Sequence, residues 1–418
     1  MLNWEINNRV QDINDQPLRS PNATVGKPYQ FIIDINQLNW SDVILLSFEG
    51  LSEIGLNFDH NTNTISGTPE ISGDHKLIIN FKLKQEEELG VQYQKKVSLI
   101  VNPDPKSLWK DLASDTSDPY WKEDNIKSSG PLGEKYIVAA SKRGRSHANQ
   151  GSFRDDAYLW KQLESGWSQV VVADGAGSAK YSRKGSEEAC WAAIDYFEKN
   201  IESPAFAEFD NLVTELHHAT GTDTSKKINL WIYQNLGAAA FYIHKHLEQC
   251  AVKMEVPLVQ LHTTLIFTLF KKYDFGYAIL SFGIGDCPIV LIGNNLTEVT
   301  MMNWLDVGEY GGGTRFITMP DVFKSDKFAT RFNFKLVNNF EYLVMMTDGI
   351  YDPKFEVEAN LAKLERWKAF FDDLGGNNAD EAGVKFNREN PSIADELSQW
   401  IDFWSPGNHD DRTLAIIF

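Results

Sequence analysis

Val170-Val-Val-Ala-Asp-Gly-Ala-Gly-Ser-Ala179 is an unbroken apolar run that ends on a carboxylate and turns at Gly175 and Gly177. Four to six apolar residues bounded by glycine read as a strand buried on both faces. A carboxylate at the end of such a strand is held rigidly at the sheet edge. The glycine after it lets the backbone carbonyl approach a cation closely. The same construction recurs at Tyr342-Leu-Val-Met-Met-Thr-Asp-Gly-Ile-Tyr-Asp352, where Asp348 and Gly349 close the run. One strand-Asp-Gly is an ordinary turn, whereas two in one chain point to a shared site.

Two more acidic clusters sit at strand mouths: Arg154-Asp-Asp-Ala-Tyr-Leu-Trp160 and His409-Asp-Asp-Arg-Thr-Leu-Ala-Ile-Ile-Phe418. Adjacent carboxylates repel one another and cost stability unless a cation or several donors neutralise them. Oxygen-only donors from separate strands suit Mg2+ or Mn2+.

Around these motifs strands and helices are mixed. Strands are expected at residues 136–140, 157–160, 168–173, 264–270, 276–282, 288–292, 342–346 and 413–418. Helices are expected at 186–199, 205–220, 226–251, 356–373 and 392–403. Helices clustered between groups of strands predict an α+β fold of two packed sheets flanked by helices.

Upstream the texture changes. From Trp4 to Val101, short alternating runs such as Tyr29-Gln-Phe-Ile-Ile-Asp-Ile35 predict a separate all-β unit over residues 1–102. Its stretch Leu56-Asn-Phe-Asp-His-Asn-Thr-Asn-Thr-Ile-Ser-Gly-Thr-Pro69 resembles the repeat of bacterial immunoglobulin-like or cadherin-like sandwich domains. That resemblance implies a spacer or a module that binds another protein. Asp59 and Asp74 are read as turn residues in preference to calcium ligands. Residues 103–130, rich in breakers, are read as a linker, and 131–418 as the second domain.

The formal charge of -18, from 58 acidic and 40 basic residues, disfavours nucleic acid and anionic membranes as partners. Cys190, Cys250 and Cys287 are odd in number and widely spaced, so neither a disulfide framework nor a thiolate zinc site is indicated. None stands in surroundings that would mark a nucleophile. With no signal-peptide pattern and no apolar run of about 20 residues, the expected location is the cytoplasm.

In order, Asp155-Asp156-Ala157, Asp174-Gly175, Gly285-Asp286-Cys287, Asp348-Gly349 and Asp410-Asp411-Arg412-Thr413 resemble the motifs of the type 2C metal-dependent protein serine/threonine phosphatases, from about Ala139 to Phe418. The resemblance implies two Mn2+ or Mg2+ ions, with a third held more weakly by Asp286. Asp174 would bridge the pair and Gly175 would lend its carbonyl to the second ion. Asp348 and Asp410 would complete the first ion, and Asp155 and Asp156 would serve the second directly or through water. It further implies hydrolysis of phosphoserine and phosphothreonine by a water between the two cations, with Asp174, Asp348, Asp410 and Asp156 as the catalytic carboxylates. The substrate would be a phosphoprotein, the target of a cognate serine/threonine kinase.

Two departures stand out. The family's Glu-Asp-Ala is Asp155-Asp156-Ala157 here, one methylene shorter, and the histidine usual after the first Asp-Gly is Ala176. The segment Gly144-Arg-Ser-His147, with Val307-Gly-Glu-Tyr-Gly-Gly-Gly-Thr-Arg-Phe316, resembles a divergent bacterial branch. Arg145 and His147 are the expected phosphate contacts, and His147 is an alternative source of the missing proton. The glycine run Gly311-Gly-Gly-Thr314 is read as a flap beside the site. Rival readings are a pseudophosphatase that senses without turnover, a binding protein centred on the first domain, and a hydrolase of small phosphoesters.

Overall fold

The computed structural model describes residues 2–218, 222–306 and 313–418, so Gly311 and Gly312 of the glycine run read as a flap, and the end of the helix expected to reach Thr220, lie outside the described residues. The chain divides into two compact units, Met1–Trp109 and Lys110–Phe418.

The first unit opens with helix α1 (Leu2–Asp15), followed by strands β1 (Ala23–Thr24), β2 (Tyr29–Ile32), β3 (Val43–Glu49), β4 (Leu56–Asp59), β5 (Thr64–Gly67), β6 (Gly73–Leu83) and β7 (Tyr93–Asn102). The strands form a four-stranded sheet in the order β1-β7-β6-β3 and a three-stranded sheet in the order β2-β5-β4. One core, including Trp40, Leu56, Ile79 and Phe81, joins the two sheets. The expectation of an all-β unit is corrected by α1. Its Ile6, Val10 and Ile13 recur at helical spacing and pack on that core, but the asparagines between them mask the period. Buried Lys95 caps the helix end, donating to the carbonyls of Ile13 and Asn14 at 2.8 Å and Gln16 at 2.6 Å. Asp59 accepts from Asn61 N and Thr62 Oγ1, both at 2.9 Å, the geometry of a turn.

The second unit contains β8 (Asn125–Leu132), β9 (Lys135–Lys142), α2 (Arg145–Gln150), β10 (Ala157–Gln162), β11 (Trp167–Ala173), α3 (Ser182–Asn200), α4 (Pro204–His218), α5 (Thr222–Lys253), β12 (Leu265–Tyr273), β13 (Gly276–Ile284), β14 (Ile289–Ile292), β15 (Val299–Met301), β16 (Phe332–Val337), β17 (Tyr342–Met346), α6 (Asp348–Phe355), α7 (Leu364–Leu374), α8 (Ile393–Trp400) and β18 (Arg412–Ile417). Two antiparallel sheets result, β10-β11-β12-β13-β16 and β15-β14-β17-β18-β9-β8. Their pattern of burial explains the apolar runs. Val170 and Val172 of β11 face the core shared by the sheets, while Val171 and Ala173 face the core under α3, α4 and α5. In β17, Leu343 and Met345 enter the shared core, and Val344 and Met346 pack against α6, α7 and α8. Both faces are covered, so the residues are apolar without alternation. The layers run α-β-β-α.

Two of the differences from expectation have a clear local cause. The stretch read as linker supplies β8, paired to β9 from Asn125 to Leu132. Gly130 and Pro131 disguise it as a loop, and β8 tolerates the proline because it is the edge strand. The single helix expected at 356–373 is broken: Glu356 has φ +66 and ends α6, and the Phe355 carbonyl accepts from Val357 N and from Asn360 Nδ2, both at 2.7 Å, before α7 begins. Among the described residues no helix is long and apolar enough to cross a membrane.

Candidate active site

Asp174 follows β11, and its backbone is clamped from both sides. Its N–H donates to Thr264 Oγ1 at 2.9 Å, and its carbonyl accepts from Thr264 N at 2.8 Å and Thr263 Oγ1 at 2.9 Å. A side chain at Gly175 is excluded, since a Cβ there would lie 2.7 Å from the Asp155 carbonyl oxygen. Asp286, after β13, brings a carboxylate close to that of Asp174, with Cys287 Sγ completing a group of donors within 4.8 Å. Thr314 Oγ1 donates to Asp286 at 2.8 Å.

Asp348 starts α6 where β17 ends, and Thr347 before it exchanges hydrogen bonds with Thr413 of β18, each at 3.0 Å. The same two threonines donate to one oxygen of Asp156, Thr347 at 2.8 Å and Thr413 at 2.6 Å. The other oxygen, Asp156 Oδ1, is buried with no hydrogen-bond partner, and so is Asp348 Oδ1. A buried carboxylate oxygen without a donor is costly, and a cation bound between two such oxygens in one acidic site would offset that cost.

Electrostatics agrees. Burial, followed by the charges of Asp348, Asp156, Asp410 and Asp286, pushes the Asp174 carboxyl well above the usual range. Asp348 is raised by burial and then by Asp410, Asp286 and Asp156. Burial and the neighbouring Asp411 push Asp155 up to about 6 and Asp156 up to about 7. Asp410 is raised by burial and by Asp411. Carboxylates that mutually disfavour ionisation are the donors a divalent cation would relieve, and the set is almost wholly oxygen, as Mg2+ and Mn2+ prefer.

Asp411 behaves differently from its neighbours. It is buried, accepts from Gly144 N at 2.5 Å, from Asp155 N, and from His147 Nδ1 at 3.0 Å. Against the cost of burial, these donors hold its carboxyl below the usual range. It therefore ties the loop before α2 to the acidic pair. His147 Nε2 points to Asp155 Oδ2 at 3.7 Å. Burial would lower the His147 pKa, but Asp411, Asp155 and Asp410 outweigh it and hold the imidazole up to about 9.

Residues 143–401, more than half of the chain, match the protein phosphatase 2C family. The chain belongs to the protein phosphatase 2C family. Among solved structures it is similar to a bacterial serine phosphatase, at 14% identity over 67% of this chain and 96% of that one with a TM-score of 0.38. The serine/threonine phosphatase Stp1 from Staphylococcus aureus is similar at 13% identity over 71% of this chain and 98% of that one, TM-score 0.38. The phosphatase domain with a fragment of the regulatory domain of SpoIIE from Bacillus subtilis follows at 15% identity, 71% and 64% coverage, and TM-score 0.37. No curated protein matches the sequence.

In this protein phosphatase 2C domain the two side chains expected to meet phosphate have different surroundings. Arg145 donates to the Asp402 carbonyl at 2.6 Å, to Asp402 Oδ1 at 3.1 Å and to the Phe403 carbonyl at 3.1 Å, with its guanidinium 5.4 Å from the Trp404 ring. Arg145 opens α2, where residues two apart are turned by about 200°, so Arg145 and His147 leave the helix on different sides. Arg154 is likewise spent inside, on Ser141 Oγ at 2.8 Å and on the Asp156 carbonyl.

Lys122 escaped the sequence reading. It lies in the stretch read as linker, and its ammonium donates to the Asp156 carbonyl at 2.7 Å and the Arg183 carbonyl at 3.2 Å. Burial, then the Arg154 charge, lowers it to about 7. No local pattern announces it, because its partners are 34 and 61 residues away.

The turn after β17 also depends on close approach. A Cβ at Gly349 would stand 1.9 Å from the Asp411 carbonyl oxygen, a backbone atom that cannot swing aside. Gly349→Ala is expected to destabilise the protein by about 1 to 3 kcal/mol, read as a lower midpoint of urea unfolding with an unchanged slope. An unchanged midpoint would show that the Asp348 and Asp411 segments do not meet this closely.

Proposed function

We propose that the chain is a phosphoprotein phosphatase of the divergent bacterial branch, cleaving phosphoserine and phosphothreonine with Mn2+ or Mg2+. The observation that carries this reading is the pair of orphaned buried oxygens, Asp156 Oδ1 and Asp348 Oδ1, inside a site of mutually repelling carboxylates. In this reading Asp174, Asp348 and Asp410 hold one cation. Asp174, the Gly175 carbonyl, Asp155 and Asp156 hold the second, and Asp286 serves a third. When bound, such cations supply an acidified water and offset charge on the phosphoryl oxygens.

The residues of the chain do the rest. Thr347 and Thr413 orient Asp156, and Thr263 and Thr264 fix the Asp174 backbone. Hydrolysis adds water across the P–O ester bond, and the departing serine or threonine oxygen needs a proton. Ala176 offers none. His147 is held protonated between Asp411 and Asp155, and its Nε2–H takes that role. The substrate is read as the target of a cognate serine/threonine kinase in the cytoplasm. The first unit, two sheets around one core, is read as an immunoglobulin-like or cadherin-like module that binds a protein partner.

Turnover of a phosphothreonine peptide and of para-nitrophenyl phosphate, assayed with Mn2+, Mg2+ or EDTA, tests the proposal. Peptide hydrolysis that requires the cation is expected. Turnover undiminished in EDTA contradicts it, as does cation-dependent cleavage of the small ester alone.

A further inference from the structure

Glu188 of α3 and His246 and Cys250 of α5 converge at a place the phosphatase chemistry does not use. His246 and Cys250 are four residues apart and share one face of α5, the face that packs on α3. His246 Nε2 lies 2.5 Å from Glu188 Oε2 and 3.4 Å from Cys250 Sγ, and Cys250 Sγ lies 3.6 Å from Glu188 Oε2. Nitrogen, sulfur and oxygen donors thus form a small triangle. We propose that this triangle is a zinc site, in which one Zn2+ bridges α3 and α5 through Glu188, His246 and Cys250.

The dimensions favour it. A tetrahedral Zn2+ with bonds of about 2.05 Å to nitrogen, 2.0 Å to oxygen and 2.3 Å to sulfur sets its donors about 3.5 Å apart along the edges that include sulfur and about 3.3 Å apart along the N–O edge. Both sulfur edges already have that length. Only the N–O edge is short, because a proton joins those atoms now; zinc in place of the proton opens it by about 0.8 Å. The mixed thiolate, imidazole and carboxylate set suits Zn2+ over Mg2+ or Mn2+, which select oxygen alone.

The surroundings hold the donors in place. Lys184 binds the other Glu188 oxygen at 2.7 Å, leaving Oε2 for the metal, and the Trp191 ring lies 5.2 Å from the imidazole. Glu188 and His246 also line a cavity of about 700 Å³, through which an ion can enter and a water complete the tetrahedron.

Cobalt is the probe, because a cobalt–thiolate bond absorbs in the near ultraviolet and oxygen-bound cobalt does not. Cys287 lies beside Asp174 and Asp286, so its own variant separates the two places. Titrating Co2+ into the full chain is expected to produce the thiolate band, which Zn2+ then abolishes. The band should persist in Cys287→Ser and disappear in Cys250→Ser and His246→Ala, with circular dichroism confirming that these variants are folded. Zn2+ affinity should fall by at least about tenfold to a hundredfold in Glu188→Gln. If Cys250→Ser does not fold, His246→Ala and Glu188→Gln carry the same readings. Absence of the band, its survival in either Cys250→Ser or His246→Ala, or its loss in Cys287→Ser would overturn the proposal. None of these outcomes depends on phosphatase activity.

Discussion

Asp348→Asn is expected to lower kcat/KM on a phosphothreonine peptide by about a hundredfold to a thousandfold, equivalent to several kcal/mol of lost transition-state stabilisation. The same substitution should make the cation-free protein more stable. Asp348 is pushed up by burial and by Asp410, Asp286 and Asp156, and one of its oxygens has no donor, so its charge works against folding. Removing it should raise the unfolding free energy in EDTA by on the order of 1 kcal/mol or more. Saturating Mn2+ should reverse the ranking, since a cation that binds only the folded state stabilises the wild type more. Opposite movements of activity and stability distinguish a ligand from a residue that merely supports the fold. Activity within about tenfold of wild type, or a variant less stable in EDTA, would remove Asp348 from the cation site.

The second large effect concerns Asp156 and pH. Burial and then the Asp411 charge raise its carboxyl to about 7, overcoming the hydroxyls of Thr413 and Thr347. In the unfolded chain an aspartate titrates near pH 3.9. Between those values the folded protein binds more protons than the unfolded one, so this group makes stability fall as pH rises from about 4 to 7. Asp156→Asn removes the titration while its amide oxygen still accepts from both threonines. Measured by urea unfolding in EDTA, the variant should gain on the wild type between pH 5 and pH 8, by on the order of 1 kcal/mol or more. A difference independent of pH would mean that Asp156 ionises as an ordinary carboxylate.

Much of this site could be read from local sequence, for a definite reason. β11 and β17 are covered on both faces, which forces continuous apolar residues, and the Asp-Gly that follows each marks its end. What escaped was encoded non-locally or in disguise. Helix α1 carries its core positions among asparagines, and β8 hides behind Gly130 and Pro131. Lys122 reaches the site only through tertiary contacts. Arg145, read as a phosphate contact, opens a six-residue helix and donates to the Asp402 carbonyl, a partner that lies far off in sequence. Asp411 carries its own signal in the paired aspartates, but only the fold shows that it braces His147 and Asp155 from within. His246 and Cys250 stand at helical spacing, and Glu188, the third member, is far off in sequence.

The carboxylates at Asp155, Asp156, Asp174, Asp348 and Asp410 are proposed to form one cation site. Crystals grown with Mn2+ and measured at the manganese absorption edge test it most directly. Two anomalous peaks are predicted, both within bonding distance of Asp174 and one beside Asp348 and Asp410. A map with no peak at Asp174, from crystals in which Mn2+ is bound elsewhere, would contradict the account.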